Sequence, residues 1–497
     1  MATLLNVLES GQPEDRLALV VPGGPRLTYR QLREQVWRGA EALAAHGVRR
    51  EDRVALVYPN SAEAVVLFLA AATVATAAPL NPAYKVDEFR FYLEDTRARF
   101  LLVAPGEGAA AREAMPAGGE IVEAALDEHG RLRLSGGRGS RGGVEPPDDD
   151  DVALVLHTSG TTSRPKIVPL RHRNLAASVA NIVPHYRLGP DDVSLCVMPL
   201  FHVHGLVASA LSTLASGGTV VIAAPRFNPF EFWPLVREHR PTWYSAVPTI
   251  HLAALGRAGN ERPTGTERLR FVRSCSSALP PDLMRRLEDL LRVPVLEAYG
   301  MTEAAHQMAS NPLPPDERRP GTVGTATGVE ITILDDHGRR LPVGAAGEVA
   351  IRGPNVMDGY EANPSANAEA FTDGWFRTGD QGSLDERGYL TLRGRIKELI
   401  NRGGEKIAPR EIDEVLLQHP AVAEAVAFGV PHPSWGEEVA AAVVLKHEAT
   451  RTQLLAFCRE RLADFKVPRQ LYIVTEIPRT PTGKVQRRHV AAALVEG

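Results

Sequence analysis

Short apolar runs recur through the first half of the chain, each separated from the next by a helical stretch or a breaker. Residues 53–58 (RVALVY) are the first. An apolar helical stretch over 64–78 follows, and Pro79-Leu80-Asn81-Pro82 then breaks it. Runs of the same kind lie at 100–104, 153–156, 219–223, 242–246 and 271–274. β-rich runs spaced by helices predict layered α/β structure with parallel strands. A chain of 497 residues is too long for one ordinary domain. From about Gly321 the texture changes to short strands and turns (ITILDDHGRRLPVG, GEVAIRGPNV, GYLTLRGR), which predicts a β-rich subdomain. After Gly394-Arg395 comes a mixed tail of about 100 residues, a usual size for a small domain. The expected division is therefore 1–396, layered α/β subdomains plus a β-rich piece, and 397–497, a small α+β domain. Residues 105–151 are rich in Gly, Arg, Ala and Glu and read as a surface excursion. Their GGRGSRGG stretch reads as a flexible loop, not an RNA-binding element, because no aromatics are interleaved.

Charge and cysteine usage exclude several classes. A net charge of −4 exerts no global pull on nucleic acid or anionic lipid, so an anionic ligand needs a local constellation. The three cysteines, Cys196, Cys275 and Cys458, form no CxxC pair, which argues against a disulfide framework or a zinc site. No basic segment followed by an apolar core opens the chain, and LVEG is not a peroxisomal address. The run at 64–78 is too short for a membrane span and reads as a buried helix. The expectation is a cytoplasmic protein without nucleic-acid partner or membrane span. Its oligomeric state is not legible.

Four segments carry chemistry. In LHTSGTTSRPKIVPL, residues 156–170, Thr158, Ser159, Gly160, Thr161 and Thr162 follow an apolar strand. Open backbone N–H groups and hydroxyls can wrap phosphate oxygens, and Lys166 adds a point charge. The Walker A order is absent. In EAYGMTE, Tyr299 can stack on a base, Thr302 can donate to a phosphate and Glu303 can hold Mg²⁺. The carboxylate of Asp380, in WFRTGD, can accept two ribose hydroxyls. Lys484, in TPTGKVQRR, sits on a glycine-bearing loop, and alone it would read as an exposed lysine beside Arg487 and Arg488.

The first of these segments resembles the phosphate loop of the superfamily of acyl-CoA synthetases, peptide-synthetase adenylation domains and luciferase. The resemblance continues in order through PLFH at 199–202, SSAL at 276–279, EAYGMTE at 297–303, RTGD at 377–380, GRIKE at 394–398 and PTGK at 481–484. It implies a large adenylation domain with a small mobile C-terminal domain. It also implies an AMP-forming acid–thiol ligase that uses ATP, Mg²⁺ and coenzyme A on a small carboxylate. Lys484, Thr302, Glu303 and His202 become the catalytic residues, with Glu303 as the metal ligand. The nucleotide and CoA are expected at Thr158, Ser159, Gly160, Thr161, Thr162, Lys166, Ser277, Ala278, Glu297, Ala298, Tyr299, Gly300, Asp380, Arg395, Lys397, Gly403 and Gly404. Among these, Lys397 falls at the family's hinge, and Gly403 and Gly404 lie where backbone approaches pantetheine.

Polar residues cluster where an acyl pocket is expected. FHVHGL sets His202 and His204 two apart, on one side if the segment is extended. RSCSSALPP offers Arg273, Ser276 and Ser277, and His306 follows the TEA turn. A zinc reading of His-x-His lacks a nearby third ligand. The richer expectation is a second carboxylate on a small acid, bound by His202, His204, Ser276 and His306. Histidine suits this because it donates from its ring and can carry charge near neutrality. These stretches, with SNPLP and IRGPNV, resemble oxalate–CoA ligases of plants and fungi. Gly300 departs, since other residues such as Ala also occur there. Malonate or another short diacid, a medium-chain fatty acid, a carrier-protein acceptor and a non-catalytic nucleotide-binding relative remain as alternatives.

Overall fold

The computed structural model describes residues 3–9, 11, 13–136, 144–158, 165–403, 405–479 and 485–495. The chain forms two compact units: Met1–Glu330 with Arg352–Gly374, and Ile331–Ile351 with Trp375–Gly497.

The first unit holds two sheets with parallel centres. One has nine strands. Its parallel strands are, in spatial order, Val295–Met301, Phe271–Ser274, Trp243–Ala246, Val193–Cys196, Thr219–Ile222 and Leu17–Val20. His306–Ser310 runs antiparallel beside Val295–Met301. The other sheet has seven strands, with Glu120–Leu126, Phe100–Val103, Arg53–Val57, Thr76–Pro79 and Val152–Thr158 parallel at its centre. The apolar runs at 53–58, 100–104, 153–156, 219–223, 242–246 and 271–274 all fall on these strands, because a parallel strand is covered on both faces and so reads as continuous apolar sequence. The run at 64–78 is the buried helix Ala62–Val74 followed by the strand Thr76–Pro79. The helix is capped by Ser61, whose Oγ accepts from the Ala64 N–H. An all-round apolar surface keeps it interior.

Residues 105–151 are not wholly a surface excursion. Glu120–Leu126 extends the seven-stranded sheet alongside Phe100–Val103, and Leu132–Leu134 closes that edge. The Gly- and Arg-rich flanks hid a seven-residue strand whose burial alternates only weakly. Most of GGRGSRGG lies outside the described residues.

In the second unit, Gly347–Arg352, Trp375–Leu384 and Leu390–Arg395 form an antiparallel sheet, the β-rich piece expected from the sequence. A further sheet pairs Val422–His432 with Gly436–Leu445 and, in parallel, Gly436–Leu445 with Gln470–Val474. Its core includes Ile407, Ile412, Leu416, Val443 and Leu454. The contacts thus group 331–351 and 375–396 with the tail. No helix among the described residues is long and apolar enough to cross a membrane.

Candidate active site

Val152–Thr158 and Lys166–Arg171 pair antiparallel, with Thr158 opposite Lys166 at the end where the phosphate-loop segment joins the two strands. Ser159, Gly160, Thr161 and Thr162 lie outside the described residues. The Lys166 ammonium stands 4.5 Å from the centroid of the Tyr360 ring. The Tyr360 hydroxyl donates to Oε1 of Glu303 at 2.9 Å. Tyr360 was not singled out from sequence; a tyrosine in GPNVMDGYEANP has no spacing that ties it to a glutamate fifty-seven positions earlier.

EAYGMTE, residues 297–303, spans two elements. It is the end of the strand Val295–Met301 followed by a 3₁₀ turn, Thr302–Ala304. The strand buries Glu297, Ala298 and Tyr299, and the turn buries Thr302 and Glu303. Oε2 of Glu297 accepts from the Gly321 N–H at 2.8 Å, a bond that fixes a neighbouring loop. Ser277 and Ala278 follow the strand Phe271–Ser274 and are exposed. Gly300 is forced by its neighbour: a Cβ there would stand 2.0 Å from the His306 carbonyl oxygen. An alanine at this position requires the His306 backbone to shift.

The histidine cluster differs from its sequence reading in two ways. FHVHGL is not extended. His204 opens a π-helix, His204–Leu211, and the His204 N–H donates to Nδ1 of His202. π-Turns of this kind recur at functional sites. Asn60 holds the preceding turn, donating to the Met198 carbonyl and accepting from the Leu200 N–H. His204 is also fully buried. Its Nδ1 lies 3.1 Å from Ser276 Oγ and its Nε2 2.7 Å from Ser245 Oγ. It therefore stands behind Ser276, whereas His202 is half-buried. The His204 and His306 rings are 5.1 Å apart.

Backbone strain gathers here. Ser276, Ala305 and His306 have φ of 70°, 48° and 107°. Such conformations cost of order 1–3 kcal/mol each and persist only where the surroundings impose them. Ser178 Oγ donates to the Ala305 carbonyl at 2.7 Å, and Asn355 Nδ2 to the Ala304 carbonyl at 2.8 Å, which pins the turn. Burial, followed by Arg273, His204 and His202, holds His306 well below the usual histidine range. It is a neutral donor near pH 7, not the charged group the sequence allowed.

In the second unit, Arg395 Nε meets Asp380 Oδ1 at 2.9 Å, the two being register partners on adjacent strands. Arg395 also donates to the Thr378 carbonyl. Lys397 is exposed in a 3₁₀ turn, Ile396–Glu398. Gly403 has φ 59°, and a Cβ would meet the Trp435 ring at 2.7 Å, so a packing need accounts for that glycine. Gly404 and Lys484 lie outside the described residues. Arg487 is not an exposed companion of Lys484: it is clamped by Asp413 at 2.6 Å and Glu398 at 3.3 Å. Among the described residues no three His, Cys, Asp or Glu gather as a metal cage.

Residues 9–361 match the family described as AMP-binding enzyme, and residues 411–484 match the AMP-binding enzyme C-terminal domain. A probable CoA ligase of Humulus lupulus is 49% identical over 98% of this chain and 96% of its own. The oxalate–CoA ligase of Arabidopsis thaliana is 46% identical over 99% of both chains. The crystal structure of ATP-bound MatB from Rhodopseudomonas palustris superposes with a TM-score of 0.89 at 32% identity, covering 100% of both chains.

Proposed function

The chain belongs to the AMP-binding enzyme family, and from that premise we propose that it is an AMP-forming carboxylate–CoA ligase whose acid is oxalate. A carboxylate oxygen attacks the α-phosphorus of ATP, the bond to the bridging oxygen breaks, and pyrophosphate leaves. The CoA sulfur then attacks the acyl carbon, AMP leaves, and the thiol proton passes to solvent.

The observation that carries oxalate is the wall formed by Ser276 and His306. Both are polar, both are held in strained backbone, and both are backed by further polar groups. A fatty-acyl tunnel needs apolar lining, and a buried second carboxylate needs donors. The likeness to an oxalate–CoA ligase along nearly the whole chain supports the same acid.

Site roles follow the chemistry. Thr158 to Thr162 with Lys166 hold the phosphates, Tyr299 stacks on adenine, and Thr302 donates to the α-phosphate. Ser277, Ala278, Glu297, Ala298 and Gly300 wall the nucleotide, and Asp380 with Arg395 takes the ribose. Lys484 bridges carboxylate and α-phosphate as charge develops. His202, Ser276 and His306 receive oxalate, with His204 supporting Ser276. Glu303 suits Mg²⁺: it is a buried single carboxylate with one oxygen held by Tyr360, and this ion takes one or two carboxylates plus substrate phosphates. When bound, it offsets charge on the phosphate oxygens. A mobile domain over 397–497, pivoting near Lys397, and pantetheine passing Gly403 and Gly404 belong to the same proposal. So does a cytoplasmic location, supported by three free, buried thiols.

Pyrophosphate release measured across oxalate, malonate, acetate, octanoate and aromatic acids tests the assignment. Preference for octanoate or an aromatic acid would overturn it. Release with oxalate but no CoA-dependent thioester would point to a carrier-protein acceptor.

A further inference from the structure

Arg273 occupies the middle of the strand Phe271–Ser274 and is fully buried. Its Nε donates to the Tyr186 hydroxyl at 2.9 Å, Nη1 to Ser245 Oγ at 2.9 Å, and Nη2 to Gln307 Oε1 at 3.0 Å. All three acceptors are neutral. Among the described residues no carboxylate meets this guanidinium. Arginine cannot escape burial by losing its proton, and a buried charge is normally paired. The protein thus keeps a permanent, uncompensated cation behind the proposed acyl wall.

The remaining contacts give that cation a direction. Nη2 lies 3.4 Å from Nδ1 of His306. A guanidinium N–H can only donate, so Nδ1 accepts and the ring proton sits on Nε2. That Nε2 makes no hydrogen bond to the described residues. A second arm runs through Ser245, the register partner of Arg273 on the neighbouring strand. Ser245 Oγ accepts from Nη1, so its own hydrogen is directed to His204 Nε2 at 2.7 Å. His204 then carries its proton on Nδ1 and donates to Ser276 Oγ at 3.1 Å. The Ser276 hydroxyl hydrogen is left for a ligand.

Building on the oxalate reading, we propose that Arg273 is the positioning residue for substrate choice: it sets the tautomers of His306 and His204 so that both arms end in donors, and its charge selects an acid with a second carboxylate. The depressed titration of His306 agrees with this, since Arg273 follows burial among its causes. Hydrogen bonds polarised along a chain strengthen one another, so a cation at the root reaches a ligand it never touches.

The test compares wild type, Arg273→Lys and Arg273→Met for kcat/KM with oxalate and with glyoxylate, an acid of similar size lacking the second carboxylate. If wild type does not use oxalate, the oxalate reading fails and this proposal with it. If wild type prefers oxalate, Arg273→Met should lower the oxalate-to-glyoxylate ratio by roughly 100-fold with KM for ATP held. Arg273→Lys should retain part of the preference through its charge. An unchanged ratio in folded Arg273→Met overturns the proposal while leaving oxalate in place. A second measurement does not depend on the Arg273 variants folding. With ¹⁵N-labelled histidine in wild type, the His306 signals, identified by their loss in His306→Asn, should report a neutral ring protonated on Nε2 from pH 6 to 8. A ring protonated on Nδ1, or a cation in that range, overturns the proposal.

Discussion

The Tyr360 hydroxyl holds one oxygen of Glu303 at 2.9 Å while the Tyr360 ring lies beneath the Lys166 ammonium. One side chain thus joins the proposed metal carboxylate to the lysine that follows the phosphate loop. Both contacts fall within the first compact unit.

Tyr360→Phe removes the donor and keeps the ring. Losing a hydrogen bond to a buried carboxylate costs about 1–2 kcal/mol, so apparent KM for MgATP should rise roughly 5- to 30-fold. Glu303→Gln should raise it at least ~10-fold, while AMP affinity changes little. Titrating Mg²⁺ in the pyrophosphate assay, alongside AMP binding by calorimetry, measures both. Equal losses for MgATP and AMP would remove the metal role from Glu303.

Lys484→Ala separates the half-reactions. Adenylation should fall by ~100-fold or more, because charge between carboxylate and α-phosphate loses its bridge. Thioester formation from supplied oxalyl-AMP should persist, since no phosphoryl charge builds when sulfur attacks carbon. Single-turnover assays of each step measure this, and parallel losses in both would mean that Lys484 serves another purpose.

His306→Ala deletes one proposed donor to the second carboxylate. Leaving a buried acceptor without one donor costs roughly 1–3 kcal/mol, so kcat/KM for oxalate should fall about 5- to 150-fold or more, with ATP affinity nearly unchanged. Unaltered oxalate kinetics would detach the acyl carboxylate from His306.

Acid should destabilise the fold before the carboxylates titrate. Burial pushes His172 and His251 down to about 4. His172 is held neutral, its Nδ1 accepting from the Leu4 N–H and its Nε2 donating to the Ala72 carbonyl. Their folded pKa lies below the unfolded value near 6.5, so between those limits the unfolded chain binds more protons. This stability is complete above about pH 6.5 and is lost as pH falls toward 4, by roughly 2 kcal/mol per histidine at pH 5. Thermal melts from pH 8 to 5 should show the decline, and His172→Gln should flatten it. A Tm independent of pH over that range would contradict the assignment.

Most of the architecture was legible because its signals are local. A strand covered on both faces must be apolar along its length, so the runs at 53–58, 100–104, 219–223 and 271–274 announced themselves, as did the buried helix Ala62–Val74. The strand Glu120–Leu126 escaped notice because its own residues are mixed and only its neighbour Phe100–Val103 makes it a strand. Ordered motifs likewise announced the family, since phosphate loops and metal carboxylates need particular side chains at particular spacings. Tertiary structure alone decided how those side chains are arranged. His202 and His204 stand two apart in sequence, yet a π-helix puts one partly open and the other behind Ser276. Arg273 looked like one polar residue among several until its surroundings proved to contain neutral acceptors and two histidines. Burial and the sign of the local field are sums over residues distant in the chain. Hence the sequence could nominate groups for chemistry, and only the folded packing could say which are buried and which polar groups face them.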